Sequence, residues 1–311
     1  MRIAVFGTGG VGGYFGGRLA QAGEEVIFIA RGKHLEAMRQ HGLKVDSIKG
    51  DFKIEPAQVI DDPRRVGQVD MVLMAVKAWQ VPEAVVAMRP MIGAQTGVVP
   101  LENGVDAPAQ LIVALGADHA LGGLCKISAF IAEPGLIRHV GIEPYVAFGE
   151  LDNRLSQRVE ALRQAFERAG VSVEVPQDIR AAMWEKFIFI AAISGVGAVT
   201  RAPAGVIRSL PETRQMLIEM VEEIVAVARA LKVNLPQEIA TNTIAFIDSL
   251  PQNVTASMQR DVIAGHPSEL GSQNGALVRM GLETGISTPL NAFIYHSLLP
   301  QELRARGEVD F

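Results

Sequence analysis

Residues 1–12, MRIAVFGTGGVG, join a short apolar run to a glycine-rich turn and decide the fold of the N-terminal part. The apolar run contains β-branched residues and predicts a strand, and the residues after the turn predict a helix. Gly7 permits a tight turn, Gly9 lets the backbone approach a pyrophosphate, and Gly12 lets the helix pack on the strand. A glycine motif alone is weak evidence, but its position between a strand and a helix favours a dinucleotide site.

The composition limits the class of protein. The chain has 311 residues, of which 49% are hydrophobic and 20% charged, so it can form one large domain or, more readily, two. A net charge of −5 without a basic stripe argues against a nucleic-acid partner. The single cysteine, Cys125, rules out an internal disulfide framework and a cysteine cluster for a structural metal.

Targeting and membrane signals are weak in this sequence. The chain begins directly on a predicted strand, so we expect no signal peptide. The longest uncharged apolar stretch, residues 187–200, is shorter than the roughly 20 residues that a bilayer requires. We therefore expect a cytoplasmic protein with no membrane partner.

The end of the second predicted strand, residues 25–30 (EVIFIA), decides the ribose chemistry. An Asp or Glu there would bind the 2′-hydroxyl of NAD. Instead Arg31 follows, with Lys33 and His34 close behind. Cations can bind a 2′-phosphate, so the pattern favours NADP over NAD; a solvated basic turn is the alternative interpretation.

Two polar residues follow later predicted strands, at residues 70–76 and 97–101. Lys77 comes directly after the first, and Asn103 comes shortly after the second. The carboxyl ends of parallel strands are where open α/β sheets bind ligands, so both residues are candidate site residues. Each also has a purely structural interpretation. Lys77 could be a surface lysine, and Asn103 could be a turn residue before a glycine.

The pattern changes near Pro176. Before it, alternating segments predict an antiparallel extension of the sheet. These segments cover residues 119–128, 136–140 and 145–149. From Gln177 onward the sequence predicts helices and no convincing strand. We therefore predict an α/β fold, with a Rossmann-type dinucleotide-binding domain over residues 1–176 and an all-α domain over residues 177–311.

The second half contains candidate catalytic residues. A helix that Asp178 can cap runs through Lys186 into an uncharged segment that its composition predicts to be buried. A lysine held in a cleft can act as a general acid, although one at the edge of a buried segment can also snorkel to water. Further on, Glu269 at a predicted helix start could act only on the helix dipole, worth roughly 0.5 kcal/mol, and Ser257 could be a helix cap.

Six ordered motifs connect these residues. They are GTGGVG at 7–12, VKAWQ at 76–80, LENG at 101–104, WEKF at 184–187, TASMQRD at 255–261 and SELGSQNG at 268–275. In this order and spacing they resemble the ketopantoate reductase family (2-dehydropantoate 2-reductases), over essentially the whole chain. The resemblance implies a Rossmann domain joined to a helical domain, and reduction of 2-dehydropantoate to (R)-pantoate with NADPH, a step towards pantothenate and coenzyme A.

The resemblance also implies a role for each candidate residue. Lys186 would be the general acid that protonates the carbonyl oxygen, and Asn103 would lie near the nicotinamide and that carbonyl. Ser257 would help to bind the substrate carboxylate, and Glu269 would contact substrate or cofactor and poise Lys186. The cofactor-binding set would be Gly7, Thr8, Gly9, Gly10, Val11, Gly12, Arg31, Lys77 and Asn103.

The chain departs from the family at positions that often carry asparagines. Ile190, Ser194 and Ala204 stand there instead. Ile190 follows Lys186 by one helical turn, on the same face, and cannot hydrogen-bond a hydroxyl. Either other groups, Ser194 among them, bind the substrate hydroxyl, or the substrate is a more apolar branched or aromatic 2-oxo acid.

Two further alternatives stay open. The chain could be a non-catalytic NADP-binding sensor on the same scaffold, although the joint presence of the candidate site residues speaks against this. The apolar helix predicted over residues 210–231 is compatible with a homodimer interface and equally with the core of a monomer.

Overall fold

The computed structural model, which describes residues 1–311, places every strand in the N-terminal part of the chain and only helices in the C-terminal part. This confirms the predicted α/β fold with a Rossmann-type first part and an all-α second part. Two units result, one of Met1–Glu102 and Ala107–Ile179, the other of Asn103–Asp106 and Arg180–Phe311. The assignment of residues 103–106 to the helical unit has no counterpart in the sequence pattern.

The strands of the first unit are mostly short and buried. In chain order they are β1 (Arg2–Phe6), β2 (Glu25–Ile29), β3 (Leu43–Ser47), β4 (Phe52–Ile54), β5 (Gln58–Ile60), β6 (Val69–Met74), β7 (Ile92–Pro100), β8 (Leu121–Lys126), β9 (Ala129–Glu133), β10 (Leu136–His139), β11 (Tyr145–Glu150) and β12 (Ser172–Glu174). The main sheet has five strands in the order β5-β2-β1-β6-β7, all paired in parallel. The glycine turn therefore leaves the central strand of a parallel sheet.

Five α-helices complete the first unit. They are α1 (Gly10–Gln21), α2 (Gly32–His41), α3 (Val81–Ala87), α4 (Ala107–Leu115) and α5 (Gln157–Arg168). Helix α1 buries Phe15 and Leu19 in the same core cluster as Ile3 and Val5 of β1. Burial of these apolar side chains fixes the start of α1 over the carboxyl end of β1.

The predicted antiparallel extension of the main sheet is wrong. Strands β8 and β11 do pair in antiparallel fashion, but with β12 they form a separate sheet, and one isolated parallel bridge, Val98 with Ala120, joins β7 to the residue before β8. Strand β10 pairs in parallel with β3 and antiparallel with β9, in a further sheet that also contains β4. Alternating hydrophobicity shows which segments are strands, whereas the choice of pairing partner depends on residues distant in sequence.

The second unit is built from seven helices, α6 and the six that follow it in the chain. They are α6 (Ile179–Thr200), α7 (Ala204–Ser209), α8 (Pro211–Ala230), α9 (Ile239–Ser249), α10 (Ser257–Ile263), α11 (Asn274–Thr284) and α12 (Pro289–Ala305). By length and composition α6 could cross a membrane, but 67% of its apolar window is buried within the protein. It is the central helix of a protein core that also includes Leu217, Ile224 and Leu277.

Two local predictions in the second unit are corrected. The helix predicted to start at Ser268 begins at Asn274, so Glu269 lies in a series of turns and not in a helical first turn. The turns are accompanied by a tertiary contact, in which the backbone N–H of Ser268 donates to the Glu302 carboxylate at 3.0 Å. Ser257 is the first residue of α10 and not its cap, which is Ala256.

Candidate functional site

Backbone conformation and close packing explain three glycines of the turn. Gly7 has a φ of +99°, in the left-handed region that favours glycine. A Cβ atom at Gly12 would lie 2.2 Å from the Gly7 carbonyl oxygen, and one at Gly10 would lie 2.1 Å from the carbonyl oxygen of Ala129 in β9. Gly12 therefore permits the helix–strand contact that the sequence predicts. Gly10 is required by the close approach of β9, which the sequence did not predict.

Gly9 has a different environment. A Cβ atom there would meet no other atom within 4 Å, so the space beside it is open. Gly9 is the N-cap of α1, and no side chain caps the first N–H groups of that helix. Open space beside uncapped N–H groups at a helix start fits an anion such as a pyrophosphate. The geometry of the turn therefore suits the dinucleotide that the motif predicts.

The glycine turn is tied to the end of β2. The buried Thr8 donates to the Ile29 carbonyl through its backbone N–H at 3.1 Å and through Oγ1 at 2.9 Å. Arg31 follows Ile29 by two residues, is exposed, and is the N-cap of α2, whose first turn contains no acidic residue. A cation without a neighbouring carboxylate at this edge of the sheet fits a 2′-phosphate.

The other side of the turn is tied to β6. The backbone N–H of Ala75 donates to the Phe6 carbonyl at 2.9 Å, so the chain leaves β6 beside the end of β1. Lys77 is exposed and follows β6 by three residues. Lys77 and the partly buried Val11 thus belong to the same edge of the sheet as the turn, as predicted from the carboxyl ends of parallel strands.

His34 is the neutral member of the basic group after β2. The backbone N–H of Gly135 donates to its Nδ1 at 3.0 Å, so a neutral ring carries its proton on Nε2. Burial lowers the pKa of His34, and this outweighs the opposite effect of the Thr8 backbone nearby. At neutral pH the positive charge here therefore comes from Arg31 and Lys33.

In the second unit the structure brings together Asn103 and Glu269. The Nδ2 atom of Asn103 donates to Oε2 of Glu269 at 2.9 Å, although the two residues are 166 positions apart in sequence. Glu269 is only 5% exposed. Two of the residues that the motifs singled out are thus in direct contact at a buried carboxylate.

Helix α6 carries two further candidates, Lys186 and Ser194, with Ile190 between them. Lys186 is half-buried, and its ammonium makes no hydrogen bond or ion pair within the chain. Ile190 packs against the apolar core, and Ser194 is fully buried with an Oγ atom that has no hydrogen-bond partner. Ser194 lies two turns after Lys186, about 12 Å along the helix, so no direct contact joins them.

Ser257 lies on the helix that packs against α6. A Cβ atom at Gly197 of α6 would lie 2.6 Å from Oε1 of Gln259, so α10 approaches α6 closely. Ser257 precedes Gln259 by two residues and is half-buried. Lys186 and Ser257 are thus on neighbouring helices, without a hydrogen bond between them.

Sequence reasoning missed two residues that hold Glu269 in place. Gln273 donates through Nε2 to Oε2 of Glu269 at 3.4 Å. Glu302, 5% exposed, accepts hydrogen bonds from the N–H and hydroxyl groups of Ser268 and from Nε of Arg306 at 2.7 Å. Gln273 lies inside the SELGSQNG motif and could have been found there, whereas Glu302 carries no local signal.

Comparisons with known proteins follow the same division of the chain. Residues 3–153 match the family model described as "Ketopantoate reductase PanE/ApbA", and residues 178–302 match "Ketopantoate reductase PanE/ApbA C terminal". The chain is 29% identical to an uncharacterized oxidoreductase, YkpB, of Bacillus subtilis (strain 168), over 96% of this chain and 98% of that protein. It is 25% identical to a 2-dehydropantoate 2-reductase of Nostoc sp. (strain PCC 7120), over 96% of this chain and 94% of that one.

A solved structure is similar over nearly the whole length. The crystal structure of a PanE/ApbA family ketopantoate reductase from Ralstonia eutropha JMP134 superimposes with a TM-score of 0.89 at 30% identity. The match covers 98% of this chain and 100% of that chain. The sequence and the fold of this chain are therefore both similar to those of ketopantoate reductases.

Proposed function

Since this chain belongs to the ketopantoate reductase family and is an oxidoreductase of that family, we propose that it reduces 2-dehydropantoate to (R)-pantoate with NADPH. The observation that carries the proposal is the hydrogen bond between Asn103 and the buried Glu269 carboxylate. A polar pair across 166 positions, with a carboxylate that is only 5% exposed, is costly to bury and supports a role in a binding site.

The first unit supplies the residues for the cofactor. We assign the N–H groups at Gly9 and the start of α1 to the pyrophosphate, and Arg31 to the 2′-phosphate, with Lys77 beside the cofactor. NADPH would supply the hydride, and the protein supplies its position and the surrounding charge.

The second unit supplies the residues for the substrate. We assign proton donation to Lys186: as the carbonyl carbon gains a hydride and the C=O π bond opens, the oxygen takes a proton from Nζ. The positive charge of the ammonium also stabilises the developing alkoxide before the proton moves. We assign Ser257 and Ser194 to binding of the substrate. We assign Glu269, oriented by Asn103, to contact with the substrate near its reacting carbonyl group.

One observation favours a second candidate substrate. Ile190 follows Lys186 by one turn, packs with the apolar core, and offers no hydrogen-bonding group. Ser194 is the next polar residue on that helix, and it is fully buried. A site with one donor fewer discriminates less in favour of a hydroxylated substrate, so the alternative is a more apolar branched or aromatic 2-oxo acid.

A panel of 2-oxo acids tests the proposal. The loss of NADPH absorbance is followed with 2-dehydropantoate, with branched 2-oxo acids and with an aromatic one, each also with NADH. We expect the highest kcat/KM with 2-dehydropantoate and NADPH. A higher value with an apolar 2-oxo acid selects the alternative substrate, and NADPH binding without turnover of any 2-oxo acid contradicts both and favours an NADP-binding sensor.

A further inference from the structure

Glu269 is held by two amide groups that donate to the same oxygen. Asn103 donates to Oε2 at 2.9 Å and Gln273 donates to Oε2 at 3.4 Å. The donors come from opposite directions along the chain, one from the segment after β7 and one from the turn before α11. With both amides on Oε2, neither occupies the second carboxylate oxygen of Glu269.

The main chain on both sides of Glu269 is held by hydrogen bonds that do not involve the Gln273 side chain. The N–H of Ser268 lies 3.0 Å from both oxygens of Glu302, and Arg306 donates to Glu302 at 2.7 Å. The N–H groups of Ser272 and Gln273 both donate to the Glu269 carbonyl, at 3.1 and 2.9 Å. The main chain at Glu269 therefore needs no help from the Gln273 side chain to keep its place.

The Gln273 side chain is poorly explained by stability. The residue is fully buried, and its Oε1 atom has no hydrogen-bond partner. An apolar side chain of similar length would fill the same volume without a desolvated, unpaired oxygen. The one hydrogen bond of the Gln273 side chain is the one to the Glu269 carboxylate, so orientation of that carboxylate is the effect left to account for its amide.

We propose that Gln273 is a positioning residue of the reductase site: by donating to Oε2 it fixes the rotation of the Glu269 carboxylate and directs the other oxygen to the reacting groups. This inference rests on the proposed function for its catalytic consequence, and on the geometry of Gln273 and Glu269 for its structural part. The orientation of this carboxylate matters because small misplacements of catalytic groups lower the reaction rate strongly.

Two substitutions separate orientation from packing. Gln273→Met keeps the length and removes the amide, and kcat should fall about tenfold while the KM for NADPH is unchanged. Gln273→Glu places a second carboxyl group against Glu269. At neutral pH its kcat should be no higher than that of Gln273→Met. Its kcat/KM relative to the unmutated protein should rise as the pH falls, because the introduced carboxyl then carries a proton to donate.

A matched pair elsewhere provides the control. Gln164 donates to Glu160 with the same four-residue spacing on the exposed face of α5, at 2.8 Å. Gln164→Met and Gln164→Glu should leave kcat and its pH dependence unchanged. A pH-independent ratio for Gln273→Glu, or unchanged kcat for Gln273→Met, overturns the inference.

A second measurement keeps the inference independent of the assay. The unfolding free energies of Gln273→Met, Glu269→Gln and the double variant form a cycle that reports their coupling in any folded protein, active or not. We expect clear non-additivity, larger than for the exposed Gln164 and Glu160. Additive effects contradict the inference, whereas coupling in a protein that reduces no 2-oxo acid contradicts only the proposed function.

Discussion

The glycine turn in the first unit and the Glu269 carboxylate in the second are built in opposite ways. The turn is a run of consecutive residues, and three of its glycines are required by close approaches of the Gly7 carbonyl, of the segment after β6 and of β9. The carboxylate takes its partners from Asn103, 166 positions away, and from Gln273. Where two backbone segments approach closely, only glycine fits, because there is no room for a Cβ atom. A buried carboxylate instead depends on hydrogen-bond donors that only the folded chain brings near. Substitutions at the two regions should therefore fail in different ways.

The largest effect is expected at Lys186. Lys186→Ala should lower kcat/KM by at least about 100-fold, the size of a lost general acid, while NADPH binding is retained. Steady-state kinetics and a fluorescence titration with NADPH measure the two quantities. Lys44→Ala, at an exposed lysine of β3, is the control and should leave both unchanged. Near-normal turnover in Lys186→Ala would remove the lysine from its assigned role and leave the second unit without its proton donor.

Two glycines of the turn should separate folding from binding. Gly12→Ala places a Cβ atom 2.2 Å from the Gly7 carbonyl, so it should lower the unfolding free energy by about 1–3 kcal/mol. Gly9→Ala meets no protein atom within 4 Å, so stability should change by no more than about 0.5 kcal/mol. Gly9→Ala should nevertheless weaken NADPH binding by about tenfold or more. Equal behaviour of the two variants in urea unfolding and titration would show that Gly9 is also a packing residue.

The identity of the cofactor should depend on Arg31. Arg31→Asp should move the preference from NADPH towards NADH, by about tenfold in the ratio of kcat/KM values, because a phosphate partner becomes a partner for the ribose hydroxyl. Arg39→Asp, at an exposed position of the same helix, controls for the change of charge. An unchanged preference for NADPH in Arg31→Asp would place the 2′-phosphate elsewhere.

The smallest effect is a pH dependence near the turn. Burial lowers the pKa of His34 below its usual 6.5, so the folded protein binds this proton less readily than the unfolded chain does. The corresponding stability is complete above about pH 6.5 and is lost as the pH falls below it. Urea unfolding at pH 7.5 and pH 5.5 should show a smaller pH difference for His34→Gln than for the unmutated protein. His266→Gln, at an exposed histidine, should change nothing, and an equal pH difference in all three proteins would contradict the assignment.

The first unit was largely predictable because its signals are local. Strand β1, the turn and α1 follow from adjacent residues, and Arg31 could be placed by counting to the end of β2. The arrangement of β8 to β12 into separate sheets could not be predicted, since a period of two identifies a strand without naming its neighbour. The need for glycine at position 10 was hidden for the same reason, because β9 lies more than a hundred residues away.

Less of the second unit was open to prediction. The motifs marked Lys186, Ser257 and Glu269, but the helix predicted at Ser268 begins only at Asn274, after a series of turns. The buried hydrogen bond from the Ser268 N–H to Glu302, 34 positions away, has no counterpart in local helix propensity.

By itself the sequence determined the glycine turn, the basic residue after β2, the change from strands to helices and the types of side chain in the candidate site. Only the tertiary structure decided that Asn103 belongs with the helices, that it donates to Glu269, and that Gln273 donates to the same oxygen. The physical reason is range. Backbone conformation and helix or strand period are set by neighbours in sequence, whereas a buried carboxylate is satisfied by whichever donors the packed core brings within hydrogen-bond distance.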